Sequence, residues 1–265
     1  MAPLEQACEC YPGAMRSFWK GLRWVAAALA FFAIITRERH VLAGVAVGWS
    51  DFEAHAGAYF APSYLAEERR ALFLTLAAAR QRLAAFYGPL RAEPKLIFAD
   101  SETLNRFTHN ATGITQYLPT GAVIVLGPKG MNIDVMAHEL AHAELMARLG
   151  YRTTLWCVPT WFDEGLATQF DARSQYSDAA YARRVAEGWR LPAFADLATE
   201  KGFFRGDREH IRFHYAGARS VVAEWLRSHA DEGPARIERI ACGDAWQAEL
   251  KSMAARAPQP ASSAR

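Results

Sequence analysis

The chain has little of several things. Lys and Arg exceed Asp and Glu only slightly, 30 against 28, for a formal charge of +2. A protein whose main partner is nucleic acid needs clustered basic charge, so that class is excluded. Cysteine is scarce: four in 265 residues cannot build a disulfide scaffold, and Cys8, Cys10, Cys157 and Cys242 lack zinc-finger spacing. No internal repeat is visible. Long apolar runs are wanting too: residues 24–35 make a stretch of twelve without a charge, short of the roughly 20 that a spanning helix needs. What is present, 51% hydrophobic and 22% charged residues, is a globular composition and rules out a wholly disordered chain.

Arg16, Lys20 and Arg23 precede the apolar run, the shape of a secretory signal. No small-x-small cleavage site follows it; Thr36-Arg37-Glu38-Arg39-His40 stands there instead. The expectation is an uncleaved signal anchor over residues 1–40, with a cytoplasmic stub and the remainder exported to the periplasmic or extracytoplasmic side. Arg37 and Arg39 on the far flank weaken that charge asymmetry. A start at Met15 would give a more ordinary signal, and cleavage would make the protein secreted. A core helix of a soluble protein is the alternative for the run.

Val41–Trp49 reads as a strand or as the rest of a membrane-proximal segment that, with a helix over 64–86, fills residues 41–94. In that helix Leu65, Leu72, Leu76, Leu83 and Phe86 recur at helical spacing, and Gly88-Pro89 ends it. Residues 95–254 then form the main domain. Lys95–Ala99 is a strand, and Asp100 or Ser101 caps a short helix over 102–108. Ile114–Leu118 and Ala122–Leu126 flank a Pro119-Thr120-Gly121 turn as a hairpin. A helix spans 132–149, with Gly150 as its cap. Others begin near Pro159, cover 211–229, and run from 234 to 254 with a break at Gly243. Residues 255–265, rich in Ala, Pro and Ser, read as a disordered tail. A β/α first half before a helical second half is an α+β pattern.

The chemistry is concentrated in His138-Glu139-Leu140-Ala141-His142. Positions i and i+4 of a helix share a face, so both imidazoles can reach one metal ion, while Glu139 is placed to serve as general base toward a metal-bound water. A catalytic zinc takes three protein ligands. The glycine-turn zincins would need Gly at 145 and His at 148, where this chain has Leu145 and Arg148. Glu164, 22 residues after His142, leaves room for a loop and a returning helix that would bring a carboxylate to the pair.

Together with Trp161-Phe162-Asp163-Glu164-Gly165-Leu166-Ala167, the pentapeptide resembles the gluzincin metallopeptidases, the thermolysin-like group. It is most similar to small peptidase-MA-like proteins with a Trp-x-x-Glu-Gly-x-Ala second motif, over roughly residues 95–250. The resemblance implies a zincin-like domain, one Zn2+ held by His138, His142 and Glu164, Glu139 as catalytic glutamate, and a peptide or protein substrate. The Gly-x-Met-Glu-Asn segment of related aminopeptidases has no counterpart, which weakens an exopeptidase reading of that kind. Tyr215 and Ser220 match the family's Tyr-x-x-x-x-Ser helix, which places Tyr215 as oxyanion donor; His210 and His214 are alternatives for that role. Asp163 and Thr168 could orient a ligand imidazole. Ala122–Leu126 is either an edge strand that pairs with substrate or a fully paired core strand. Cys157 reads as a small buried hydrophobe; if the domain is exported, Cys157 and Cys242 could pair instead. Two rivals to a peptidase are a membrane-anchored zincin-fold scaffold without proteolytic activity, and a zinc amidohydrolase acting on a non-protein amide.

Overall fold

A computed structural model describes residues 39–110 and 112–256. The expected anchor run at 24–35 and residues 257–265 of the expected tail lie outside the described residues. Val41–Trp49 is helical rather than extended: α1 spans Arg39–Ala46 and a single 3-10 turn follows at Val47–Trp49. At Gly44 this helix packs closely on the sheet: a Cβ there would stand 2.8 Å from Gln116 Oε1 and 3.2 Å from Val123 Cγ1. Strands β1 (Glu53–His55) and β2 (Ala58–Phe60) lead into α2 (Ala66–Tyr87). Glu68 Oε2 accepts the Leu65 N–H at the start of α2, and Gly88, at φ 69°, ends it with an N–H bond to Ala84 O.

Next come β3 (Lys95–Phe98), β4 (Gly113–Leu118) and β5 (Gly121–Leu126), the last two forming the expected hairpin. The five strands make one mixed sheet in the order β1-β2-β3-β5-β4. Strands β2, β3 and β5 are parallel; β1 and β4 are antiparallel edges. The stretch 41–94 therefore supplies two strands to the same sheet as the main domain. β5 is enclosed by β3 and β4, so Ala122–Leu126 is the interior strand and β4 is the edge. Its five buried residues, Ala122 to Leu126, fit that place, since a strand covered on both faces reads as a continuous apolar run.

The sheet has two covered faces. Leu96, Phe98, Ile124 and Leu126 pack with α2 and with α3 (Ile133–Leu149) in the main core. Ile97, Val123 and Val125 form a smaller core with Val47, Phe52 and Phe107 on the other side. The second half is helical: α4 (Tyr151–Cys157), α5 (Thr160–Ala167), α6 (Asp178–Ala186), α7 (Glu200–Phe203), α8 (Arg208–Ser228), α9 (Pro234–Glu238) and α10 (Asp244–Arg256). Helix α10 carries Asp244 to Arg256, so residues 255 and 256, expected in the tail, are helical. The architecture is α+β. Cys157, at the end of α4, is bonded to Cys242, just before α10, with Cα atoms 5.2 Å apart. Among the described residues no helix is long and apolar enough to cross a membrane.

Candidate metal centre

Helix α3 is set in place at its first turn. Asn132 Oδ1 accepts the Val135 N–H at 3.0 Å. Asp134 accepts from Arg82 at 2.6 Å and from the Ala172 N–H at 3.2 Å, which ties the helix start to the segment after α5. One turn on, His138, Glu139 and His142 are 6%, 7% and 7% exposed. Glu164 arrives from α5, which crosses α8 at Gly165. A Cβ there would lie 2.6 Å from Ala218 O and 2.8 Å from Val222 Cγ2. The glycine of the second motif thus permits the approach that carries Glu164 inward.

Three ligand atoms converge. Glu164 Oε2 is 3.2 Å from His138 Nε2 and 3.5 Å from His142 Nε2, and the two Nε2 atoms are 3.2 Å apart. This buried group could hold a metal ion. Each ring turns its other nitrogen toward a carboxylate. His142 Nδ1 donates to Asp163 Oδ1 at 2.7 Å. His138 Nδ1 is buried without a hydrogen-bond partner and stands 4.0 Å from Asp171 Oδ2. Asp171 is itself clamped by Arg173 at 2.5 and 2.9 Å. Asp163, expected beside an imidazole of the pair, is bonded to His142. Thr168 instead donates to the Glu164 carbonyl at 2.6 Å, steadying the backbone of α5.

Burial raises the Glu139 carboxyl above the usual range, against the pull of the two histidines. Burial opposes charge on His142, yet Asp163 and Glu164 together hold its imidazole well above the ordinary value. Burial acts on Glu164 in the raising direction and is overcome by His142 and His138, so this carboxylate stays ionised.

Tyr215 joins the group: its ring is 5.9 Å from that of His138, and its phenol is pushed far up, first by burial and then by the charge of Glu164. The two alternatives are elsewhere. His214 Nδ1 donates to Phe203 O at 2.7 Å. His210 bonds to Asp207 at 2.9 Å and packs against Trp189.

Sequence reasoning passed over the β4 contribution. Alternate residues Gly113, Thr115 and Tyr117 face α3 from the sheet edge. Thr115 Oγ1 donates to Glu139 Oε2 at 2.8 Å. Tyr117 Oη donates to Asp163 Oδ2 at 2.6 Å. At Gly113 a Cβ would come within 3.1 Å of Glu139 Oε1. The period-2 placement of these residues was visible in the sequence, but only the pairing order shows that this strand is the edge. Asp171 and Tyr176, whose ring lies 5.1 Å from that of Tyr215, carry no local pattern that would single them out. No protein-family model, no curated protein and no solved structure matches this chain.

Proposed function

We propose that this protein is a zinc-dependent metallopeptidase that hydrolyses peptide bonds with Glu139 as general base. The observation that carries the reading is the ligand triangle. Tetrahedral ligand atoms about 2.0–2.1 Å from zinc stand about 3.3–3.4 Å apart, and the three separations of 3.2, 3.2 and 3.5 Å bracket that value. The donor set, two imidazole nitrogens and one carboxylate, with His142 backed by Asp163, suits zinc and leaves one position open. A zinc ion there supplies a Lewis acid for the scissile carbonyl and a water acidified toward neutral pH.

The chain's own residues do the rest. Glu139, buried and oriented by Thr115, takes a proton from the attacking water and returns it to the leaving amine nitrogen. Tyr215, kept protonated by its surroundings, donates to the carbonyl oxygen as negative charge develops. The free side of β4 offers main-chain groups to an extended peptide beside Glu139. The Cys157–Cys242 bond supports the exported placement, since lasting disulfides belong to oxidising compartments. The test is zinc content and cleavage of a denatured protein by the full chain. Glu139→Gln is expected to keep one equivalent of zinc while cleavage falls by roughly 10²–10⁴-fold; His142→Ala is expected to lose the zinc. A metal-replete preparation without zinc, or an unimpaired Glu139→Gln variant, overturns the reading.

A further inference from the structure

We propose that His40 and His109 hold a second divalent transition-metal ion, on the other side of the sheet from the triad. Their Nε2 atoms stand 3.3 Å apart, with ring centroids at 4.8 Å and planes at 82°. Nitrogens about 2.0–2.1 Å from a tetrahedral zinc lie about 3.3–3.4 Å apart, so the pair already has the bite of a two-imidazole site. The neighbouring backbone sets the tautomer. His40 Nδ1 is 3.1 Å from Arg106 O. A carbonyl only accepts, so the neutral ring keeps its proton on Nδ1 and turns the Nε2 lone pair to His109. Opposite it, His109 Nε2 brings either a proton or a second lone pair, and two lone pairs need a cation between them. Among the described residues neither ring has a carboxylate partner, whereas His210 and His229 face Asp207 and Glu249.

Both arms of the pair rest on one side chain. Gln116, buried on β4, lies against Gly44 of α1 and donates through Nε2 to Phe107 O at 3.3 Å. Phe107 and Thr108 are buried on one side of His109. On the other, the Asn110 N–H donates to Thr108 Oγ1 at 3.0 Å, and Asn110 Oδ1 accepts from the Thr112 N–H and hydroxyl at 3.0 and 2.7 Å. An exposed loop histidine is thus held between anchored neighbours, so little order remains to be imposed when an ion binds. His109 is exposed and His40 half-buried, which leaves the remaining coordination positions to water. Imidazole suits Zn2+, Ni2+ and Cu2+; Ca2+ and Mg2+ take oxygen ligands.

The ion has a structural role. Gln116 turns toward α1, while Thr115 beside it bonds to Glu139 on α3, so the sheet stands between the two sites. Two-metal catalysis needs ions about 3.5–4 Å apart. Once bound, the ion ties α1 to the loop that enters β4, the strand that orients Glu139.

Metal titration of the full chain tests this, with Cys8 and Cys10 replaced by serine to remove competing thiols and His142→Ala to disable the triad. One equivalent of Cu2+ or Zn2+ is expected at micromolar metal, copper the tighter, and the copper spectrum in electron paramagnetic resonance should show two coupled nitrogens. Adding His40→Ala or His109→Ala should abolish that equivalent. Adding His55→Ala, at another exposed histidine, should leave it. The thermal midpoint should rise with metal in the His142→Ala chain and stay unchanged in the two added variants. An equivalent that survives both added variants overturns the proposal, and so does binding only at millimolar metal; the 3.3 Å contact is then an imidazole–imidazole hydrogen bond. The proposal does not rest on the peptidase reading: with His142 intact, an ion at the pair and none at the triad would sink that reading alone.

Discussion

The two imidazole partners are the most informative single side chains. Asp163 holds His142 on one oxygen and Tyr117 on the other, so Asp163→Asn removes a full negative charge and disturbs both bonds. Ligand-orienting carboxylates of this kind contribute about 10–100-fold to metal affinity; a loss in that range, measured by competition with a chelator, is expected. His214 gives a pH prediction away from the centre. Burial lowers its pKa below the ordinary value, and the Phe203 carbonyl only partly opposes that. Below about pH 6.5 the unfolded chain takes up a proton here that the folded chain resists. Stability is therefore complete above that pH and falls as pH drops through the window below it. Urea midpoints between pH 7 and 5 should decline less in His214→Gln than in the parent.

Among elements, the crossing of α5 and α8 decides whether Glu164 reaches the two histidines. Gly165→Ala puts a methyl group against the Ala218 carbonyl and Val222. An overpacking cost of about 1–3 kcal/mol is expected in urea unfolding, with weaker zinc binding because α5 carries Glu164. Arg148, at the place where the glycine-turn zincins would need a histidine, does structural work. It donates to Glu144 and Glu238 at 2.7 and 2.5 Å and to the carbonyls of Tyr87 and Pro89. Glu144, fully buried, also accepts the N–H groups of Arg91 and Ala92. Arg148→Met leaves that carboxylate short of its cation and should cost about 3–5 kcal/mol, read as a shift of the unfolding midpoint. The helices α4, α6 and α7, of seven, nine and four residues, were not legible in sequence, since none carries a motif like the one that marks the equally short α5. So short a stretch shows too little of a 3.6-residue period to stand out from a loop.

For the fold taken together, the Cys157–Cys242 bond closes 85 residues that include both Glu164 and Tyr215. A loop of that length implies about 4–5 kcal/mol of stabilisation by restricting the unfolded chain. Replacing both cysteines by serine should lower the denaturant midpoint accordingly, with zinc still bound below the transition. The sequence left this pairing open, because a separation along the chain says nothing of Cα distance.

That His138 and His142 share one face of α3 was determined by the sequence alone, since helical geometry puts i and i+4 together whatever surrounds the helix. The same holds for the 114–126 hairpin, whose turn residues and alternation act locally. The tertiary structure alone decided the rest: that Glu164 closes the triangle, that Asp163 and Tyr117 stand behind His142, and that β4 rather than β5 is the open edge. Those depend on how separate elements meet, and contacts between distant segments are set by packing, of which local spacing carries no record.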